Sequence, residues 1–209
     1  MVNILAFETS IGNCSVALSC NGKITYSESS QKMMQSEQLI PMINDILSRN
    51  SITYKELSAV ACSIGPGSFT GIRVGVAAAL GIKKAQPHIK LIGISTLDAL
   101  SNGSSLDGLK ASEKILVILR SYGEEFYAQE FKYNQVSPAE IIVLSQQELE
   151  IHKKNYNLII SNEELENCKM INLNARSIMD ISINKYGSTA SNASIEPIYV
   201  KKPNIHGHN

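Results

Sequence analysis

Residues 63–75, SIGPGSFTGIRVG, set four glycines and a proline between an apolar run, SAVACSI, and a long segment of small residues. A chain can switch that abruptly from extended to helical only where side chains do not obstruct it. Gly65-Pro66-Gly67 therefore reads as a rigid strand-to-helix turn, with a helix beginning near Ser68 to Thr70 and running to about Gln86. The stretch fails both common nucleotide templates. A Walker A loop has four residues between its glycines and then Lys and Ser or Thr, whereas here five residues separate Gly65 from Gly71, and Ile72-Arg73 follows. A dinucleotide fingerprint is G-x-G-x-x-G, and this spacing is one residue too long. Two readings remain. The helix start can hold an anion on its backbone N–H groups, helped by Gly65, Gly67, Ser68, Thr70 and Arg73, or glycine and proline only make a tight turn that Thr70 caps.

The helix that follows is bare along one side. Gly71, Gly75, Ala78 and Ala79 share a face, and glycine inside a helix costs about 1 kcal/mol relative to alanine. Such a face lets another backbone approach closely, from within this chain or from a partner.

Around this stretch the pattern of elements is regular. VNILAFE (2–8) and CSVALSC (14–20) are strands, and Asn21-Gly22 has the chemistry of a type I′ hairpin that returns KITYSE antiparallel. Ser36 is placed to cap a helix reaching about Arg49, with Leu39, Ile40, Ile43, Ile46 and Leu47 on one side. Pro41 is tolerable there because it falls near the first turn. Thr53 and Glu56 have capping-box spacing. KLIGI is a further strand, and Ser95 with Asp98 opens a short helix. Three antiparallel strands, a helix, a strand, a helix and a strand fit a mixed sheet whose later strands are parallel and joined by right-handed crossovers. Ribonuclease-H-like and actin-like half-domains have this order, as do other mixed α/β sheets.

NGSSLDGLKAS (102–112) is the clearest shift in composition and the expected boundary between an N-terminal ribonuclease-H-like subdomain, 1–103, and a smaller C-terminal α/β subdomain, 104–209. Beyond it come two strands, KILVILRS and EEFYAQEFKY, with a turn at Tyr122-Gly123. A less regular region follows (IIVL, LSQQELE, NLIIS). A helix spans Ala175 to Tyr186, with Asn174 at its N-cap and Gly187 at C′.

The 209 residues can bury a real core. With 19 basic and 19 acidic side chains the net charge is zero, so composition prescribes no polyanion-binding face. MVNILAFETS has neither the basic region nor the apolar core of a secretory leader, and no apolar stretch is long enough to span a bilayer. Cys14, Cys20, Cys62 and Cys168 form no CxxC pair and read as reduced, structural thiols. A cytoplasmic protein is expected.

SIGPGSFTGIRVGVAAALG closely resembles the signature of the bacterial tRNA threonylcarbamoyladenosine biosynthesis family TsaB, also called YeaZ, within the TsaD/glycoprotease-like ASKHA superfamily. The resemblance continues in ILAFETS, SEQLIPMINDIL, IGISTLDAL and IEPIYVKKP. It implies an actin-like (ASKHA) fold of two related subdomains with mixed β-sheets flanked by helices. It also implies a non-catalytic partner of TsaD, the subunit that carries the metal and forms N6-threonylcarbamoyladenosine at position 37 of tRNAs reading ANN codons. TsaE, an ATPase, joins that complex, so ATP and metal are expected on the partner subunits, with tRNA reached indirectly. Family members also form homodimers through the same two-helix surface, which maps the partner interface onto Ser36, Leu39, Ile40, Ile43, Gly71, Ile72, Gly75, Val76 and Ala79. The chain departs from the family at Gln35-Ser36-Glu37 (usually His-Ser-Glu), at Glu8 (usually Asp), and at Arg120-Ser121-Tyr122 and Glu125-Phe126-Tyr127 (usually Asp-Ala-Arg before Glu-x-Tyr). These changes bear on the chemistry of the cleft rather than on the fold.

The residues themselves offer little for catalysis. A TsaD-type metal needs two histidines one helical turn apart, and His88, His152, His206 and His208 include no such pair. Ser36, Ser63 and Ser68 have no neighbouring histidine to act as a base. Glu8, Thr9 and Ser10 stand where an actin-like ATPase places its first phosphate loop, or else they form a hairpin turn that satisfies its own backbone. The alternative to a partner subunit is a small ASKHA-type ATPase or a glycoprotease-like enzyme acting alone.

Overall fold

The structure, a computed structural model, describes residues 2–32, 34–102, 113–121, 123–132, 139–187 and 195–200. The boundary segment 103–112, Tyr122, His206, His208 and the end of IEPIYVKKP lie outside these residues. The first half contains β1 (Ile4–Glu8), β2 (Asn13–Cys20), β3 (Lys23–Lys32), α1 (Gln35–Arg49), a 3₁₀ turn (Tyr54–Glu56), β4 (Ala59–Gly65), α2 (Phe69–Ala85), β5 (Lys90–Ser95) and α3 (Thr96–Asn102). The second contains β6 (Lys114–Arg120), β7 (Glu125–Lys132), β8 (Ile142–Ser145), α4 (Gln146–Lys153), β9 (Leu158–Ser161), β10 (Lys169–Met170) and α5 (Ala175–Tyr186).

Each half builds one five-stranded sheet, ordered β3-β2-β1-β4-β5 and β8-β7-β6-β9-β10. The two orders are the same path traced twice. An antiparallel meander is followed by a strand laid parallel to its first member, β4 on β1 and β9 on β6, and then by one more parallel strand at the edge. The second copy is shortened: α4 matches α1, but the crossover that α2 makes in the first half is reduced to residues 162–168.

The core follows from period-two alternation in strands buried on both faces. Leu5 and Phe7 of β1 point to one side, with Val60 and Cys62 of β4, and are covered by Leu39, Ile43 and Ile46 of α1 and by Ile72, Val76 and Ala79 of α2. Ile4 and Ala6 point to the other side, where Leu97 and Leu100 of α3 and Ile178 and Met179 of α5 pack between them and Ile115, Val117 and Leu119 of β6. The far face of the second sheet carries Leu116, Ile118 and Phe126, closed by Leu149 of α4. The molecule is therefore five layers deep: α1 and α2, sheet, α3 and α5, sheet, α4.

The last helix returns to the first sheet, packing on β1, β2, β4 and β5. The Ala175 N–H at its start donates to Ser15 Oγ of β2 at 2.9 Å, a buried bond. Residues 195–198 return as well, with Ile195 buried in the α1/α2 core and Ile198 N–H donating to the Ile64 carbonyl at 2.7 Å.

Three caps differ from the sequence expectation. Helix α1 starts at Gln35, because the Met34 carbonyl takes the first helical hydrogen bonds, from Glu37 and Gln38, which leaves Ser36 in the first turn rather than at the cap. Helix α2 is capped by Ser68, whose hydroxyl accepts from the Gly71 N–H, and not by Thr70. Gly187 ends α5 at φ −81°, in right-handed conformation, instead of supplying the left-handed residue of a C′ glycine. The expected hairpin is present, with φ 53° at Asn21 and 76° at Gly22, as is the Thr53–Glu56 capping box.

Candidate functional site

The carboxyl ends of β1, β4 and β5 lie side by side, and Glu8, Thr9, Ser10, Gly67 and Ser68 meet there, while Thr70 and Arg73 stand exposed on α2. Thr9 Oγ1 donates to the Gly71 carbonyl at 2.8 Å, and Ser68 N–H donates to the Ser10 carbonyl at 2.8 Å. The start of α2 is thereby bonded onto the β1–β2 turn. The glycines are what permit this approach. A Cβ on Gly71 would overlap the Thr9 carbonyl, one on Gly75 would stand 2.6 Å from Thr9 Oγ1, and one on Gly67 2.7 Å from the Ser10 carbonyl. Gly65, after which the peptide bond to Pro66 is cis, leaves room for the Ile198 carbonyl, 2.9 Å from where its Cβ would be.

These contacts correct the expected partner interface. Gly71, Ile72, Gly75, Val76 and Ala79 are buried inside the chain, as are Leu39 and Ile43. At Gly71 and Gly75 the bare face of α2 is taken up by the end of β1 within this chain. Of the expected interface residues, Ser36 and Ile40 stand at the surface. What is exposed beside them is the next strip round the same two helices. Ile40 and Tyr54 together with Ala78, Gly81 and Ala85 line an apolar groove of about 280 Å³ between α1 and α2, and Leu80 is exposed on α2 as well.

Glu8 is the one ionisable group in the strand-end cluster, and it is fully buried together with Thr9, Ser10, Ser63 and Thr96. Its Oε1 accepts from Ser10 N–H at 2.5 Å, Ser10 Oγ at 2.6 Å and Ile11 N–H at 3.0 Å. Thr96 Oγ1 closes the far side, 3.2 Å from Ser10 Oγ. Burial pushes the Glu8 carboxyl above its ordinary value, against the opposing effect of Ser10, the neighbouring Ser63 hydroxyl and the two backbone donors. Glu8 Oε2 and Ser63 Oγ both lack a well-aligned partner among the described residues. A proton on Oε2, donated toward Ser63, satisfies both, and burial favours that neutral form. The adjacent thiols stay protonated too: chiefly burial raises Cys14 to about 11 and Cys62 to about 12. All four cysteines are free.

The fit to a nucleotide or metal is poor. The N–H groups of the β1–β2 turn, which a phosphate would use, are already given to Glu8. Arg73, the cation expected at the glycine loop, lies 3.6 Å over the Phe69 ring, and its Nε donates to Tyr199 OH at 3.2 Å. Among the described residues no three of His, Cys, Asp and Glu come together as metal ligands, and His88 Nε2 donates to the Leu57 carbonyl at 3.1 Å. At the departures in the second half, Arg120 pairs with Glu163 at 2.6 Å and lies 4.7 Å over Phe126. No described helix is long and apolar enough to cross a membrane.

Comparison with known proteins places this geometry. Residues 30–161 match the family model described as TsaD: tRNA N6-adenosine threonylcarbamoyltransferase. The tRNA threonylcarbamoyladenosine biosynthesis protein TsaB of Escherichia coli (strain K12) is 30% identical over 128 residues, 61% of this chain and 54% of that protein. The protein of the same name from Buchnera aphidicola subsp. Schizaphis graminum is 35% identical over 132 residues, 63% of this chain and 61% of that protein. The matched region thus spans between half and about three-fifths of these curated relatives' length. The solved structure of YeaZ from Pseudomonas aeruginosa superposes with a TM-score of 0.75 at 19% identity, over 96% of this chain and 100% of that one, and so shares the fold. The chain, two related α/β subdomains of actin-like (ASKHA) type, belongs to the TsaD family and, within it, to the TsaB/YeaZ group.

Proposed function

We propose that the chain is a non-catalytic partner subunit in the formation of N6-threonylcarbamoyladenosine at position 37 of tRNAs reading ANN codons, and that it holds a TsaD-like catalytic subunit through the α1–α2 groove. The groove carries this reading. Ala78, Gly81 and Ala85 follow helical i, i+3, i+7 spacing on α2 and leave space for a partner helix, while Ile40 and Tyr54 supply apolar walls. Exposed apolar surface with small residues at its floor suits a helix-on-helix interface. The names of the relatives support the pathway, and the closed strand-end cluster supports a role without chemistry in this chain.

In this reading the metal and ATP belong to the partner subunits, a TsaE-like ATPase joins through the complex, and tRNA is reached only indirectly. The chain acts in the cytoplasm, away from membranes. Docking shifts the TsaD-like subunit toward its competent conformation by differential binding. In isolation the same groove joins two copies of this chain.

The test pairs Gly81→Arg with Ile40→Asp, both at exposed positions. Each is expected to weaken binding to the TsaD-like subunit of the same organism at least tenfold in calorimetry, with melting temperature unchanged. Reconstituted tRNA modification should fall in parallel. Both variants binding at wild-type affinity would sink the proposal, and so would modification that proceeds equally without this chain.

A further inference from the structure

We infer that Lys153 and Cys168 are a redox-responsive pair, in which oxidation of the sulfur by hydrogen peroxide is trapped as a covalent nitrogen–sulfur bond between the two side chains. Lys153 ends α4, and its side chain is only 9% exposed, uncommon cover for a lysine. Its Nζ donates to Glu150 Oε1 at 2.7 Å and to the Glu166 carbonyl at 3.3 Å. Cys168 Sγ donates to that same carbonyl at 3.4 Å. One oxygen therefore holds nitrogen and sulfur side by side, with the ammonium in hydrogen-bonding reach of the sulfur. The turn that presents them is fixed as well: Asn167 takes φ 58°, and the Cys168 N–H donates to the Leu165 carbonyl at 3.1 Å.

Burial lifts the Cys168 thiol above its ordinary value, and Lys153 works against that rise through its charge and its hydrogen bond. The sulfur is half-buried, within reach of a small oxidant. No second thiol stands by to resolve a sulfenic acid: Cys168 packs against the far face of the second sheet, whereas Cys14, Cys20 and Cys62 belong to the core of the first. The lysine nitrogen is the nucleophile at hand. In the first step the O–O bond of hydrogen peroxide breaks; one oxygen joins the sulfur, and the other leaves as water with the thiol proton. Nζ then attacks the sulfur, the S–O bond breaks, and hydroxide leaves as a second water with one ammonium proton. Another ammonium proton passes to the Glu150 carboxylate. The sulfur has given up two electrons and the peroxide has taken them. The new bond closes residues 153–168 into a loop and clamps the end of α4 to the turn before β10, at the edge of the second sheet. This inference does not depend on the docking role proposed above.

The experiment is a tryptic mass map of the full chain after hydrogen peroxide, with catalase to stop the reaction. Wild type should yield the peptides of Lys153 and Cys168 joined, uncut at Lys153, and about 2 Da lighter than their sum, the loss of two hydrogens. Dithiothreitol should separate them again. Lys153→Arg keeps the charge beside Glu150 but lacks the amine, so its sulfenic acid should persist. Dimedone, which captures sulfenic acids, should label Cys168 about fivefold more in that variant than in wild type. Cys168→Ser should give no joined peptide. Wild type that gains oxygen on Cys168 without joining to Lys153 overturns the inference, as does equal dimedone labelling of wild type and Lys153→Arg. Cys168 left unmodified while Cys20 is oxidised overturns it as well.

Discussion

The carbonyl of Thr9 occupies the place where a side chain on Gly71 would begin, so the end of β1 and the first turn of α2 are in backbone contact. Gly71→Ala pushes a methyl into a carbonyl that also belongs to the buried β1–β2 turn, and neither element can retreat from its core. Overpacking of this kind costs about 1–3 kcal/mol and sometimes more. We expect the upper end, read as a lowered urea midpoint with unchanged slope. Wild-type stability in this variant would show that the two elements are not held together.

Glu8 makes the folded chain sensitive to pH in an uncommon direction. Its carboxyl is raised above the ordinary 4.5, chiefly by burial, so the folded chain binds a proton that the unfolded chain has released. Stability from this group is complete below about 4.5 and is lost as pH climbs through the raised value. Asp98, also raised by burial, acts in the same sense, while Glu56 and Glu148, lowered by their capping bonds, act oppositely. Glu8→Gln leaves those three in place. The variant should therefore gain on wild type as pH rises from 4.5 to 8, in urea midpoints taken at each pH. A difference that stays constant with pH would exclude a protonated Glu8.

Ser15 ties the last helix to the first sheet. Its hydroxyl accepts the first N–H of α5 in a buried bond, and Ser15→Ala strands that N–H. Leaving a buried donor unsatisfied costs about 1–3 kcal/mol. The loss should appear in global stability and also as faster amide exchange in the first turn of α5. Unchanged exchange there would show that packing alone seats the helix.

Tyr199 and Phe69 are both exposed and flank Arg73. Exposed cation–π contacts contribute about 0.5–1 kcal/mol, so Tyr199→Ala should barely move the global melt. Its effect should be local: protection of the Ile198 amide, which donates to Ile64, should fall. Protection equal to wild type would mean that Ile195 and Ile198 hold the segment unaided.

Local chemistry was readable where neighbours in sequence decide the outcome. Asn21-Gly22 can serve a type I′ turn with no help from elsewhere, and Thr53–Glu56 closes its own box. Ser145 and Glu148 have that same spacing, and they cap α4 in a stretch that reads as irregular by hydrophobic pattern alone. The bare stripe on α2 was visible too, but its occupant was not, because Thr9 lies 62 residues from Gly71 in sequence. A side-chain-poor face says that something comes close, and only the tertiary fold says whether it is a partner or the chain itself. Glu8 illustrates the same limit. Its position at a strand end suggests a ligand-facing carboxylate, whereas the turn that follows folds back and takes it as its own acceptor.

The return of α5 to the first sheet sets the order in which this molecule can be finished. On the ribosome, β1 to β5 emerge with α1 and α2 to cover one face, but of the layer for the opposite face only α3 follows at once. Ile4 and Ala6 of β1 lack the cover of α5 on that side until residues 175–186 have been synthesised. The two halves look like repeats, yet they share one core cluster between their sheets, closed by α3 and α5. A chain interrupted anywhere before α5 leaves part of that apolar face, Ile4 and Ala6 above all, without its cover.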